Sequence, residues 1–583
     1  MFVKSRQDVS LEIVHFSVDV TKPADLDELE EIYSSENEEI IGDEDDWSTD
    51  DEFINAQFYP DCRWKLSARY TKDYDCIQIR FFKDVHTCTR TMKNKRVHAN
   101  FLAEEYQEKL LKHPTWKLKL FVKDVEDTYG VKVNRWQAGR AKRNTLSTCG
   151  KVVGRQYDSL RANIYEMKRS NVGSRAFLSL KPSISGSIPQ FHMFYINFVA
   201  IRRNSLNGCR RLLGLDGAFL KGYCKGEILC AVGRDANNQM FPVAWDIIES
   251  ESKESWSWFL GHLINDLEMQ TGKGWTLISD QQKGLLLVIA DMLPNAEHRL
   301  CARHIFTNWI KVIKGIPLHK LYWKAVKAYT EKHFNNIMEK LIQQSQRAHA
   351  QMCARDVTKF CHSFYKTWAC TDVTSNYMAE TFNSWILEAR EKPILTMLEE
   401  IRRQVMSKMV EKKAEAIKCN GITTRVREKL NDFRQSTKNW ISIEASTNVY
   451  EVQHTHNSTL SYTVRLDQKV CACRYWNLNG VSCEHATAAI CAVNQNRESY
   501  VAVWYTKEMY KECYLLSLEP LNGQALWKTI EGGSILPSDP RVKCGRPSNK
   551  RKKAYGEVRQ KPVKYRAPRS SKQLYSKCQK KWP

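Results

Sequence analysis

The chain has 583 residues, 42% of them hydrophobic and 27% charged, with a formal net charge of +23. This length and apolar content exclude a fibrous or wholly disordered protein and allow about three or four folding units. The basic excess points to a polyanionic partner, nucleic acid first, because phosphate neutralisation by Lys and Arg drives such binding; a solvated basic surface is the plain alternative.

The opening MFVKSRQDVSLEIVHF lacks the apolar run of a signal peptide, and no stretch approaches the roughly 20 apolar residues of a membrane span. An intracellular chain without a membrane partner is expected, its 19 cysteines serving as thiols and metal ligands. Residues 1–20 alternate apolar and polar positions as a β segment would. Residues 21–53 contain fifteen acidic residues between Asp25 and Glu52 and no basic one in that run, which predicts a disordered acidic linker.

Residues 54–100 read as a small β unit, with Trp64, Leu66, Ile77, Ile79 and Phe81 at period two. Cys62, His86 and Cys88 could bind zinc there: C-x-W followed by H-x-C resembles the DNA-recognition domain at the front of MuDR-type transposases. A further cysteine of that pattern is missing, which leaves a metal-free β unit as the alternative. Residues 101–190 are expected to form a helical, basic DNA-binding region, with helical periodicity and many basic residues over 102–170. In the segment WQAGRAKR, Arg140, Lys142 and Arg143 fit a helix laid along a DNA backbone, or a merely solvated face.

Within the domain expected at 191–400, the stretch from Phe191 to Asn308 changes to apolar runs separated by turns and helices, an α/β pattern. Leu212 to Leu215 lead into Asp216; EILCAV and MFPVAWDII follow as two strands of an antiparallel meander. After a tryptophan-rich helix, WTLIS ends on Asp280. Two strands ending in aspartate could set two carboxylates together for a divalent cation; helix or turn capping is the alternative. His298, Cys301 and His304 follow at i, i+3 and i+6, with Cys301 and His304 on one helix face as metal ligands or packing residues.

The text GCRRLLGLDGAFLKGYCKGEILCAVGRDANNQMFPVAWDIIESESKESWSWFLGHL, with LISDQQKGL and HRLCARH, resembles the transposase domain of plant Mutator-like elements (MULE). The resemblance implies an RNase H-like core with a helical insertion at 306–372, and a DDE triad that uses Mg²⁺ or Mn²⁺. By position it implies Asp216 and Asp280 as the first two acids. VTSNYMAETFN resembles the family's S-N-x-x-x-E-x-x-N helix and implies Glu380 as the third, with Glu388 and Glu391 as fallbacks. Met378, Phe382, Trp385, Ile386 and Ala389 fall on one apolar face, so Asn376, Glu380 and Asn383 oppose it, toward a cleft or bulk water.

A helical connector is expected at 401–445. Within 446–500, Cys471, Cys473, Cys483 and His485 supply three thiolates and an imidazole, a set suited to a structural zinc; reduced cysteines in a strand and turn are the alternative. The spacing C-A-C-x9-C-E-H resembles the SWIM-type zinc finger. Residues 535–583 form a basic tail in which sixteen Lys and Arg face one acid from Arg541 onward. Arg546 in G-R-P, followed by Lys550, Arg551, Lys552 and Lys553, resembles an AT-hook for the minor groove and would also serve nuclear import.

The expectation is an α/β protein with small zinc modules and disordered acidic and basic segments. It would be a nuclear DDE transposase bound to double-stranded DNA, with a homo-oligomer open. The alternative is a regulator descended from such an enzyme, DNA-binding but without catalysis.

Overall fold

A computed structural model describes residues 53–57, 63–71, 76–85 and, with short gaps, 87–538. The β segment at 1–20, the acidic run, Cys62, His86, Cys88 and the basic tail from Arg541, including Arg546 and Lys550 to Lys553, lie outside the described residues. The chain divides into two compact units, one built on residues up to 105 and on 115–142, the other on 106–114 and 143–552.

The smaller unit contains an antiparallel sheet of β1 (Phe53–Gln57), β2 (Lys65–Thr71) and β3 (Cys76–Lys83), in that order. Helix Leu118–Tyr129 buries Phe121 and Val125 and stops at Gly130, whose φ of +65° closes the last turn as a residue with a Cβ would do only under strain. Trp116 packs on Phe121 with ring centroids 5.1 Å apart.

The larger unit is organised by a seven-stranded sheet. Its strands are β4 (Arg175–Lys181), β5 (Gln190–Asn197), β6 (Leu212–Phe219), β7 (Glu227–Arg234), β8 (Met240–Ile248), β9 (Thr276–Ser279) and β10 (Glu297–Leu300). The spatial order is β10-β9-β6-β7-β8-β5-β4. β6, β7 and β8 form an antiparallel meander; β9 runs parallel to β6, and β10 parallel to β9. Each parallel step is made by a helix, Lys253–Asp266 and then Lys283–Met292, as parallel pairing requires. Ile228 to Gly233 are all buried, which fits a strand covered on both faces.

The helical reading of 101–190 ends at Ser170, where helix Leu160–Ser170 stops. RAFLSLK, although flanked by cations, alternates at period two and pairs with β5, which itself pairs with β8. The sheet therefore begins before residue 191.

Helices Ala302–Val312, Ile316–Val326, Glu331–Gln344 and Gln346–Cys353 follow β10 and close around their own core of Trp309, Tyr322, Phe334, Leu341 and Phe360. Helix Tyr377–Trp385 returns to the sheet and buries Met378, Ala379 and Phe382. Long helices Ile394–Lys418 and Thr424–Ser436 lead to a second antiparallel sheet, β11 (Trp440–Ser446), β12 (Val449–His454), β13 (Asn457–Arg465) and β14 (Val470–Cys471).

Residues 501–538 fold back on the first sheet. Gly208 lies so close to the Cys513 backbone that a Cβ there would overlap it, and Tyr514 Oη donates to the buried Asp235 carboxylate at 2.9 Å. Asn171 holds the Glu519 backbone at both its N–H and its carbonyl, each at 3.0 Å.

Candidate functional site

Asp216 lies in the middle of β6, which runs on to Phe219, and not at the strand end that the apolar run suggests. The parallel register pairs Leu212 with Thr276, Leu213 with Leu277 and Gly214 with Ile278. Carried two residues on, it sets Asp216 level with Asp280, the first residue of the turn from β9 into helix Lys283–Met292. Burial and then the neighbouring Asp280 carboxylate push the Asp216 carboxyl up to about 7, against the opposing effects of Asn383 and His304. Asp280 Oδ1 accepts from the Gln282 amide at 3.0 Å, so it also shapes the turn.

Helix Tyr377–Trp385 covers the face of β6 that carries Gly214 and Asp216. Gly214 is needed there, because a Cβ would run into Asn376 Oδ1 and lie 2.8 Å from Met378 Cγ. Asn376 Nδ2 donates to the Leu215 carbonyl at 2.8 Å, and Asn383 Nδ2 donates to Asp216 Oδ2 at 2.9 Å. The polar face of this helix is thus turned to Asp216 and not to bulk water, with Asn376 fully buried and Asn383 nearly so.

Glu380 lies one turn before Asn383. Its Oε2 pairs with Arg303, and its Oε1 lies 3.7 Å from His304 Nε2. The three acids singled out in the sequence therefore share His304 as a neighbour. The His304 imidazole is held above its usual range first by Cys301 and then, more weakly, by Asp280 and Asp216. Glu388 is exposed, on the turn that follows the helix.

His298 does not share a helix with Cys301 and His304. It lies on β10, hydrogen-bonds Ser279 Oγ at 2.8 Å, and is kept neutral by burial, its pKa falling to about 4. Cys301 immediately precedes helix Ala302–Val312, which carries His304, and its side chain makes no capping hydrogen bond. Cys301, His304 and Glu380 place one ligand atom each within 4.8 Å of one another, and Glu380 Oε1 is buried without a hydrogen-bond partner.

A further carboxylate, Glu251, escapes the sequence reading. It follows β8, accepts from Trp256 Nε1 at 3.0 Å, and its Cδ would lie 3.3 Å from a Cβ on Gly217. Burial, with weaker contributions from Asp280 and Glu227, pushes it up to about 7 against the Trp256 hydrogen bond. Within ESESKES it looks like one more acid of a helix start, since Ser252 beside it is the residue that caps helix Lys253–Asp266.

At the second sheet, Cys471 ends β14, Cys483 caps helix Glu484–Ala492 and His485 lies in its first turn. With Cys473, their ligand atoms all fall within 4.8 Å of one another. His485 Nδ1 is 3.7 Å from Cys471 Sγ and 3.6 Å from Cys483 Sγ. Tetrahedral bonds of about 2.3 Å to sulfur and about 2.0 Å to nitrogen set S and N roughly 3.6 Å apart, so the residues fit zinc. Tyr462 stacks on the His485 ring at 4.0 Å and Trp440 meets it edge-on at 4.3 Å, fixing its orientation.

On helix Arg135–Asp158, Arg140 and Arg143 are exposed, whereas Lys142 turns inward and donates to the Trp116 carbonyl at 2.8 Å. Lys142 is thus half-buried and engaged within the fold, and burial lowers its pKa.

The MULE transposase domain matches residues 212–308, from the start of β6 into helix Ala302–Val312, a stretch that contains Asp216, Glu251, Asp280, Cys301 and His304. The match supports a transposase-related function, with DNA as its partner. No curated protein matches the chain. No helix among the described residues is long and apolar enough to cross a membrane.

Proposed function

We propose that the chain is a MULE-type DNA transposase acting in the nucleus, with an RNase H-like core in the β10-β9-β6-β7-β8 part of its sheet. Asp216, Asp280 and Glu380 would hold Mg²⁺ or Mn²⁺ for DNA strand cleavage and transfer. Cys471, Cys473, Cys483 and His485 would hold a structural zinc that keeps the finger folded for DNA binding. What supports this reading is that the parallel β6–β9 register, carried two residues past its last pair, sets Asp216 level with Asp280, and that burial and then the Asp280 charge push the Asp216 carboxyl up, an arrangement a cation would relieve. When bound, paired divalent ions stabilise the attacking and leaving oxygens of a phosphodiester displacement.

The chain's own part is to hold that geometry. Asn383 fixes one Asp216 oxygen, the Gln282 amide fixes one of Asp280, and Asn376 clamps the helix onto β6. Glu380 joins the pair once Arg303 releases it. A second reading, a DNA-binding regulator without catalysis, is favoured by that same Arg303–Glu380 contact, which holds the third acid in an ion pair. Cys301 and His304 would then share Glu380 around a soft cation.

A strand-transfer assay in Mg²⁺ or Mn²⁺ separates these readings. Activity in the wild type that is lost in Asp216→Asn, Asp280→Asn and Glu380→Gln supports the transposase. An inert wild type that still binds DNA supports the regulator. A zinc content that drops in Glu380→Gln assigns Glu380 to Cys301 and His304.

A further inference from the structure

A groove of about 630 Å³ opens on the helices after β10 and is lined by Lys320, Lys324 and Lys327 with His319, His333 and Trp323 and by none of Asp216, Asp280 and Glu380. The three lysines fall at i, i+4 and i+7 on helix Ile316–Val326 and its C-terminal cap, so they form one stripe. Like charges at this spacing repel one another along a helix, and among the described residues none of the three lysines is in an ion pair that would offset this. All three are exposed. Trp323 is half-buried: it packs on Phe306 and Tyr322, with ring centroids 5.2 and 5.4 Å away, while also lining the groove. A rigidly backed aromatic ring beside a row of unpaired cations is the combination that binds a nucleic-acid strand, phosphates on the lysines and a base on the ring.

We propose that this groove binds an unpaired segment of a DNA strand, with a base stacked against Trp323 and phosphates along Lys320, Lys324 and Lys327. The inference goes beyond the cation reading and does not depend on it, because strand binding needs no divalent ion.

The test uses the full chain in EDTA, with a fluorescein-labelled single-stranded oligonucleotide and the same sequence as a duplex. Lys320→Ala/Lys324→Ala/Lys327→Ala should weaken single-strand binding by about ten-fold or more and flatten the log K against log salt slope by about 2, from three phosphates at roughly 0.7 each. Trp323→Leu should weaken single-strand binding about ten-fold with no change in that slope, and 5-iodouracil in the oligonucleotide should cross-link to Trp323. Single-strand affinity within about two-fold of wild type in the triple variant overturns the proposal. So does an equal loss on single strand and duplex, which would mark a duplex-binding phosphate patch. Zinc content and circular dichroism of each variant, unchanged from wild type, confirm that the fold is intact. An inert chain in the strand-transfer assay would leave these binding results standing.

Discussion

Replacing Asp216 by Asn removes a charge that the fold disfavours. The carboxyl ionises at about 7 in the folded chain, against an ordinary value of 3.8. The folded protein therefore binds the proton more tightly than the unfolded chain does, and stability falls as pH rises between those two values. At about 1.36 kcal/mol per pH unit, the loss is under about 1 kcal/mol at pH 4 and about 4 kcal/mol at pH 8. The substituted side chain keeps an oxygen for the Asn383 amide and carries no charge. Asp216→Asn should accordingly be more stable than wild type in EDTA, by under about 1 kcal/mol at pH 4 and by about 4 kcal/mol at pH 8.

Denaturant unfolding of both proteins across this pH range measures the difference. Adding Mn²⁺ at pH 8 should raise the wild-type midpoint and leave that of Asp216→Asn nearly unchanged, because a ligand stabilises only the state that binds it. A variant less stable than wild type at pH 8, or one stabilised by Mn²⁺ as strongly as wild type, would refute the reasoning.

Cys483→Ser should lose one zinc by metal analysis and unfold the second sheet, whose core includes Cys471 and Cys483; full zinc content would reject the finger. Arg474 donates from Nη1 to the carbonyls of Tyr329, His362 and Ser363 and from Nη2 to that of Tyr365, so it ties the segment after β14 to the region that follows β10. Arg474→Ala should cost about 2–4 kcal/mol in denaturant unfolding, as charged hydrogen bonds are lost together and carbonyls are left without a donor. Gly208→Ala should destabilise by about 1–3 kcal/mol by forcing the Cys513 backbone away, and limited proteolysis should then cut within 501–538 first.

The cluster of Cys471, Cys473, Cys483 and His485 is legible in the sequence because the four residues lie within fifteen positions. Asp216 and Asp280 are legible from apolar runs followed by an acid, although periodicity does not show that β6 continues past Asp216. The approach of Asn383 to Asp216 can be read only as far as a shared face with Glu380; what that face meets depends on packing across some 167 positions of chain. The Arg303–Glu380 pair is hidden for the same reason. β4 is masked by the cations around it, and the return of 501–538 to the sheet has no local period. The spacing of His298, Cys301 and His304 does not show that a strand ends between the first two residues.

Electron paramagnetic resonance of a Mn²⁺ titration tests the cation site most directly. The wild type should bind Mn²⁺ with an affinity that rises as the pH passes about 7, where Asp216 ionises, and Asp216→Asn and Asp280→Asn should each lose that binding while keeping their zinc. Equal Mn²⁺ binding in all three proteins would contradict the account.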